Sequence, residues 1–205
     1  LGDVYKRQGQ TPKAYADLKA ENPDFVGWIK IEGTSVNYPV VQTKAEPQYY
    51  LRRSFEGSYS IAGTPFLDAQ CDMEKGIGLI IYGHNMNDGS MFGTLDAYKS
   101  QEAYDAHPEM QLLTPEGSYR VELLAGMVTD PSDAVYGGLT TEEEVAAYVE
   151  SALARSTFQS SAAYAPGDRL LALSTCSYET DDSIFLVIGR LCPLDLGGQG
   201  KLSLA

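Results

Sequence analysis

Apolar runs in this chain are short, and nearly every one is cut off by glycine, proline or asparagine. Phe25 to Ile31 is followed by the turn residues Gly33-Thr34, and Val36 to Val41 reads as its antiparallel neighbour. Gly63 to Leu67 and the fully apolar Gly78 to Tyr82 come next. Met110 to Thr114 and Ser118 to Met127 flank Pro115-Glu116-Gly117, a hairpin turn with glycine at its end. Arg169 to Thr175 and Ile184 to Leu191 close the series. Seven or eight short strands with glycine and proline punctuation predict a β-barrel or sandwich.

Two helices interrupt the strands. Thr11-Pro12 opens a short one, with proline where its missing N–H costs nothing, and Asn22-Pro23 ends it. Thr141 with Glu144 three residues later forms a capping box, and acids fill the first turn. Val145, Tyr148, Val149, Ala152 and Leu153 then recur at helical spacing, which predicts a helix over 141–155 packed outside the β core. Residues 1–9 and 193–205 carry no apolar periodicity and read as tails around one domain spanning 10–192.

Composition excludes several functions. A formal charge of −13 argues against nucleic acid, because a phosphate-binding surface needs clustered Lys and Arg. Cys71, Cys176 and Cys192 are odd in number and widely spaced, which fits neither a disulfide framework nor a zinc site. With His84 and His107 the only histidines, no metal or other cofactor is expected. Asp181-Asp182 has calcium-like chemistry but lacks further oxygen ligands, so a solvated loop is the plainer reading. No run of about 20 apolar residues offers a membrane span.

One thiol stands apart. Cys176 ends the apolar run Leu170-Leu171-Ala172-Leu173-Ser174-Thr175, and polar Ser177-Tyr178-Glu179 follows at once. A structural cysteine usually sits inside an apolar stretch; a strand end offers rigid backbone on one side and room for a substrate on the other. A free thiol is only slightly ionised at neutral pH and needs a base or cation to act as a nucleophile. His84 mirrors Cys176, ending Leu79-Ile80-Ile81-Tyr82-Gly83 before the polar Asn85-Met86-Asn87-Asp88-Gly89. If both strands leave the core at the same end, the two side chains can meet. Otherwise His84 only fixes its own loop. His107, before Pro108 in a polar stretch, reads as an exposed loop residue, and Cys71 and Cys192 as bystander thiols.

Tyr82-Gly83-His84-Asn85-Met86 and Leu173-Ser174-Thr175-Cys176 resemble the histidine and cysteine motifs of sortases, and of class B sortases in particular. Asn22-Pro23-Asp24-Phe25-Val26-Gly27-Trp28-Ile29, Tyr38-Pro39-Val40-Val41-Gln42 and Tyr49-Tyr50-Leu51 also resemble that class. So do Ala62-Gly63-Thr64-Pro65-Phe66-Leu67-Asp68 and Gly89-Ser90-Met91-Phe92-Gly93. The resemblance runs over roughly residues 12 to 192 and includes a helix just before the cysteine strand. It implies a mainly β fold, an eight-stranded sortase-type barrel with an N-terminal helix and that one long helix. It also implies a cysteine transpeptidase of Gram-positive cell surfaces, on the extracellular face of the membrane and associated with the wall. Such an enzyme cleaves a C-terminal sorting signal through a thioacyl intermediate and passes it to an amine acceptor of peptidoglycan or pilin. Membrane attachment would come only through an anchor absent from this chain.

By the same resemblance Cys176 is the nucleophile, His84 the proton carrier, and Ser174, Thr175 and Leu51 substrate-binding positions. Strand period independently puts Ser174 on the face of Cys176, though a strand-end hydroxyl can equally serve the backbone, and Leu51 can equally be core. The chain departs from the family at one position. Where class B sortases carry an arginine that steadies the substrate carbonyl, this sequence reads Ile184. Arg190 shares the strand face of Ile184 but lies ~20 Å along it, while Arg52 and Arg53 sit in a loop that could reach in. The alternative reading is therefore a sortase-fold peptide-binding protein with impaired catalysis.

Overall fold

The strand from Phe25 to Lys30 (β1) alternates buried and half-buried residues along its length, the signature of a sheet with one face turned to a core. Seven further strands follow: β2 (Asn37–Val41), β3 (Phe66–Leu67), β4 (Gly78–Tyr82), β5 (Glu109–Leu113), β6 (Ser118–Thr129), β7 (Arg169–Cys176) and β8 (Ile184–Pro193). They close into a barrel in the order β1-β2-β3-β4-β7-β8-β6-β5, with β5 returning to β1. Most neighbours are antiparallel; β2–β3 and β4–β7 run parallel. The computed structural model describes residues 15–133, 135, 138–176 and 182–194, and for Cys176 the backbone only.

Side-chain parity sorts the wall into two faces. Leu67, Leu79, Ile81, Leu171, Leu173, Phe185 and Val187 point into the barrel, where they join Ile29, Leu112 and Val121 in its core. The alternate residues Ile80, Leu170, Ala172, Leu186 and Ile188 face outward and are covered by the helix Glu142–Ala154. That helix opens with the expected reciprocal capping box between Thr141 and Glu144. Val145, Tyr148, Val149 and Ala152 form its buried stripe, each large side chain contributing ~1.5–3 kcal/mol of burial. Leu153, read from the spacing as part of that stripe, is 46% exposed instead. The apolar arc is narrower than the sequence pattern, and Leu153 falls past its edge.

A smaller cluster fastens the helix Tyr15–Glu21 to the barrel through Leu18, Phe25, Tyr50, Phe55 and Phe66. Its polar centre is satisfied: buried Asn22 donates to the Tyr50 hydroxyl (2.8 Å) and the Phe55 carbonyl (2.7 Å), and Tyr50 donates to Asp24 (2.9 Å). Desolvation pushes the Tyr50 hydroxyl up to about 12, so it stays a donor.

Three features depart from the sequence reading. The run from Gly63 pairs only at Phe66–Leu67, because Gly63 turns the chain at φ +64° and Thr64 bonds back to Tyr50. A helix at Gln101–Ala106, capped by Ser100, lies in the polar stretch taken for a loop. Pro193, read as the first residue of a tail, is the last residue of β8, opposite Tyr119, and the Leu194 amide donates to the Ser118 carbonyl (2.8 Å). The tail 1–9, residues 195–205 of the tail read as 193–205, and the start of the first helix lie outside the described residues.

Candidate functional site

Parallel pairing of β4 with β7 governs what can meet at the barrel rim. The register runs from Gly78 opposite Leu170 to Tyr82 opposite Ser174, and the Gly83 amide extends it by donating to the Ser174 carbonyl (3.1 Å). His84 is two residues past Tyr82 and Cys176 two past Ser174, so both backbones leave the same end at the same height. Neighbouring strands stand ~4.8 Å apart, which puts position 84 beside position 176. On the other side of β7, Cys176 is registered with Ile184 of β8.

Local packing pins His84. A Cβ at position 83 would lie 2.5 Å from the Phe92 ring, so only glycine lets that ring pass beneath the strand end. The Phe92 amide donates to the His84 carbonyl (2.9 Å), and an Asn85–Met91 bridge closes the intervening loop. The His84 ring is held from its far side, where Nε2–H donates to the Leu51 carbonyl (2.7 Å). A carbonyl can only accept, so Nε2 carries the proton, and in the neutral ring Nδ1 is left as the acceptor.

The Leu51 carbonyl is itself held. It belongs to a 3-10 turn at Tyr49–Arg52, whose Tyr50 carbonyl accepts the Thr64 amide (3.1 Å) and whose Arg52 carbonyl accepts the Ser60 amide (3.0 Å). Gly63 fits against this turn at φ +64°; a Cβ there would stand 2.5 Å from the Leu51 oxygen and 2.7 Å from that of Tyr50. No motif spells out this backbone contact, although the glycine that makes it possible stands inside one of the quoted resemblance segments, Ala62-Gly63-Thr64.

A cavity of about 330 Å³ opens over this end of the outer wall. Pro47, Gln48 and Leu51 form one side, Phe66 and Asp68 the β3 edge, and His84, Ser174, Thr175 and Ile184 the rim. The expected positions Leu51, His84, Ser174 and Thr175 thus surround one space, with the Cys176 backbone adjoining it. Ser174 and Thr175 are both buried, and Thr175 Oγ1 has no hydrogen-bond partner among the described residues. Sequence reasoning passed over Asp68, Gln48 and Tyr82. Asp68 shares the outward parity of Phe66, a signal that becomes readable once the strand is known to lie on the cavity wall.

No lysine or arginine lines the cavity among the described residues. Ile184 occupies the rim, where it offers neither charge nor donor. Arg53 does not reach in: its guanidinium lies 4.5 Å over the Tyr49 ring and donates to the Gly57 carbonyl (3.0 Å). Arg52 is exposed and absent from the lining. Arg190 is bound up at the opposite end of β8 with Glu122 and Asp168.

His107 is not a free loop residue. Its ring packs against Gly33 and its carbonyl accepts the Tyr98 hydroxyl (2.9 Å), so it is structural and away from the cavity. Cys71 is half-buried, its thiol pushed up to about 11 by desolvation, which leaves it protonated and inert. Of the acidic pair, Asp181 lies outside the described residues and Asp182 is exposed.

No protein-family profile matches the chain. Sortase B of Listeria monocytogenes is 33% identical over 178 residues, spanning 84% of this chain and 71% of that protein. Sortase B of Staphylococcus aureus is 27% identical over 190 residues, 91% of this chain and 78% of that one. Among solved structures, a Staphylococcus aureus sortase B–substrate complex superimposes with a TM-score of 0.82 at 27% identity, covering 92% of this chain and 89% of that one. A sortase B complexed with triglycine gives the same TM-score and identity, covering 88% and 86%. The chain belongs to the sortase B family of transpeptidases.

Proposed function

We propose that this chain cleaves a sorting-signal peptide through a thioacyl intermediate on Cys176 and transfers the acyl group to an amine. The observation that carries the reading is the parallel β4–β7 register, which sets position 84 beside position 176 at the rim of the cavity. Cys176 Sγ, as thiolate, attacks the scissile carbonyl carbon, and the C–N bond breaks once the leaving amine takes a proton. His84 supplies that proton, and after the amine departs the same nitrogen accepts one from the incoming nucleophile, whose N–C bond replaces the thioester. Because Leu51 holds Nε2, the nitrogen left for this exchange is Nδ1.

The relatives support both substrates in kind. One solved sortase B is described as a substrate complex and another holds triglycine, a peptide with a free amine. We assign Leu51, Ser174 and Thr175 to peptide binding, Thr175 through its backbone, because its side chain shares the inward parity of Phe185. Action at the cell surface, on peptidoglycan or pilin amines, follows from the same kinship. Incubation with sorting-signal peptides and an amine should give cleavage and transfer that Cys176→Ala abolishes; an unchanged rate in that variant ends this mechanism.

Ile184 favours a second reading, a sortase-fold protein that holds peptides but turns over poorly. Removing one oxyanion donor typically costs ~10²–10³-fold in rate. This reading expects peptide binding with no thioacyl adduct by intact mass, and a detected adduct excludes it.

A further inference from the structure

Register turns the outer wall of β3, β4, β7 and β8 into a grid. Phe66, Tyr82, Ser174 and Leu186 form one row across the four strands. Positions 84, 176 and 184 form the row toward the rim, and Ile80, Ala172 and Ile188 the row on the other side, covered by the helix Glu142–Ala154. Asp68 sits at the β3 edge of that covered row, its amide donating to the Ile80 carbonyl (2.9 Å), yet it lines the cavity.

The Asp68 carboxylate is aimed and incompletely used. One oxygen accepts the Gln70 amide (2.8 Å) and the other accepts the Tyr82 hydroxyl (2.9 Å). The backbone is clamped as well, since Gln42 Nε2 donates to the Asp68 carbonyl (2.7 Å). A carboxylate offers about four acceptor positions, so roughly two remain open. No cation pairs with Asp68 among the described residues. It is the only acidic group on the described cavity wall, no lysine or arginine there balances it, and the one basic side chain on that wall, His84, stands at the rim with Nε2 held by the Leu51 carbonyl. A fixed anion facing a partly enclosed, mostly apolar space favours a cationic occupant.

We propose that Asp68, seated on Tyr82, makes this end of the cavity a subsite for a lysine or arginine side chain of the peptide substrate. The inference rests on the reading of the cavity as a peptide groove. Two steps down the grid at ~7 Å and two strands across at ~4.8 Å put Asp68 ~17 Å from position 176, backbone to backbone. An extended peptide advances ~3.3 Å per residue, and both side chains add reach. The cation therefore belongs about three to five residues from the scissile carbonyl.

Alanine hexapeptides ending in a chloromethyl ketone, each with a single Lys, Gln or Glu at one of the first five positions, test this without knowledge of the sorting motif. Labelling at Cys176 is followed by peptide-mapping mass spectrometry. Lys should outpace Gln, and Gln outpace Glu, at one position within that window, by about tenfold for Lys over Gln, the size of one charge-assisted hydrogen bond. Asp68→Asn should bring the Lys peptide down to the Gln rate. Equal rates at every position, or a Lys preference that survives Asp68→Asn, overturn the proposal. Should Asp68→Asn fail to fold, the wild-type Lys preference decides: it must shrink as salt rises, and one indifferent to salt overturns the subsite. If no peptide labels Cys176, the nucleophile assignment falls. The subsite is then read by titrating the corresponding peptide amides into Cys176→Ala protein, where the absence of a Lys preference overturns it.

Discussion

Strand β8 ends in opposite chemistry at its two extremities. At Arg190 the guanidinium reaches Glu122 at 2.7 Å and Asp168 at 3.1 Å. Hydrogen bonds to these acids hold the guanidinium protonated, and Arg190 in turn pulls the Glu122 carboxyl below its ordinary range. Around Ile184 no such network is formed among the described residues, and only one nitrogen of His84 is engaged. Charge that has found its partners does structural work and is unavailable to a substrate. Polar atoms left unspent beside a cavity are the ones a substrate can use. The arginine on this strand is thus committed to structure, and the proposed activity rests on the rim, where no lysine or arginine stands among the described residues.

The largest effect that would break this contrast comes from the imidazole. His84→Ala should lower transfer by ~10²–10⁴-fold, the range for losing a general acid–base, with the fold intact by circular dichroism. A rate within a few-fold of wild type would mean that the proton moves by another route. Next comes the missing cation: Ile184→Arg should raise turnover by up to ~10²–10³-fold if a donor is what the rim lacks. The gain should appear in kcat more than in KM, measured on the same peptide and amine. No gain would show that backbone amides already supply the carbonyl's hydrogen bonds.

Much of this architecture was legible in the residues. The short punctuated runs narrow the fold to a barrel or sandwich, the family resemblance selects the barrel, and β4 and β7 match their sequence patterns closely because fully buried strands leave long apolar signatures. The Thr141–Glu144 box fixed the helix start because a cap is a local interaction. What could not be read is what depends on distant contacts. The Leu51 carbonyl that orients His84 is a backbone atom, invisible to any motif, and it meets the ring across 33 residues of chain. Asp68 was overlooked because one acid at a strand end looks like a turn cap until the opposite wall of the cavity is known. His107 was misplaced in solvent because its packing partner is Gly33, far upstream.

Gly63 sharpens the contrast at intermediate size. Gly63→Ala imposes a Cβ on a left-handed residue and drives it against the Leu51 oxygen. The backbone term alone costs ~1–2 kcal/mol in unfolding free energy. Because that oxygen holds Nε2 of His84, activity per folded molecule should fall as well, by more than the unfolded fraction explains, and the pH–rate profile should move. A variant that loses stability but keeps its rate and its profile would show that Leu51 does not set the ring.

The smallest effect probes the other end. Arg190→Met should leave transfer per folded molecule unchanged and lower stability by ~1 kcal/mol, since the paired side chains of Arg190 and Glu122 are 25% and 21% exposed and solvent screens them. The loss must depend on pH in a definite sense. Arg190 depresses the folded-state ionisation of Glu122, so the stabilisation is fully present above the unfolded carboxyl value of ~4.3 and disappears as pH falls through the lower folded value. Urea unfolding of wild type and Arg190→Met should therefore differ at pH 7 and converge toward pH 3. A gap that persists in acid would assign the contribution of Arg190 to packing of its apolar stem, and the ionic account of this end of β8 would have to be abandoned.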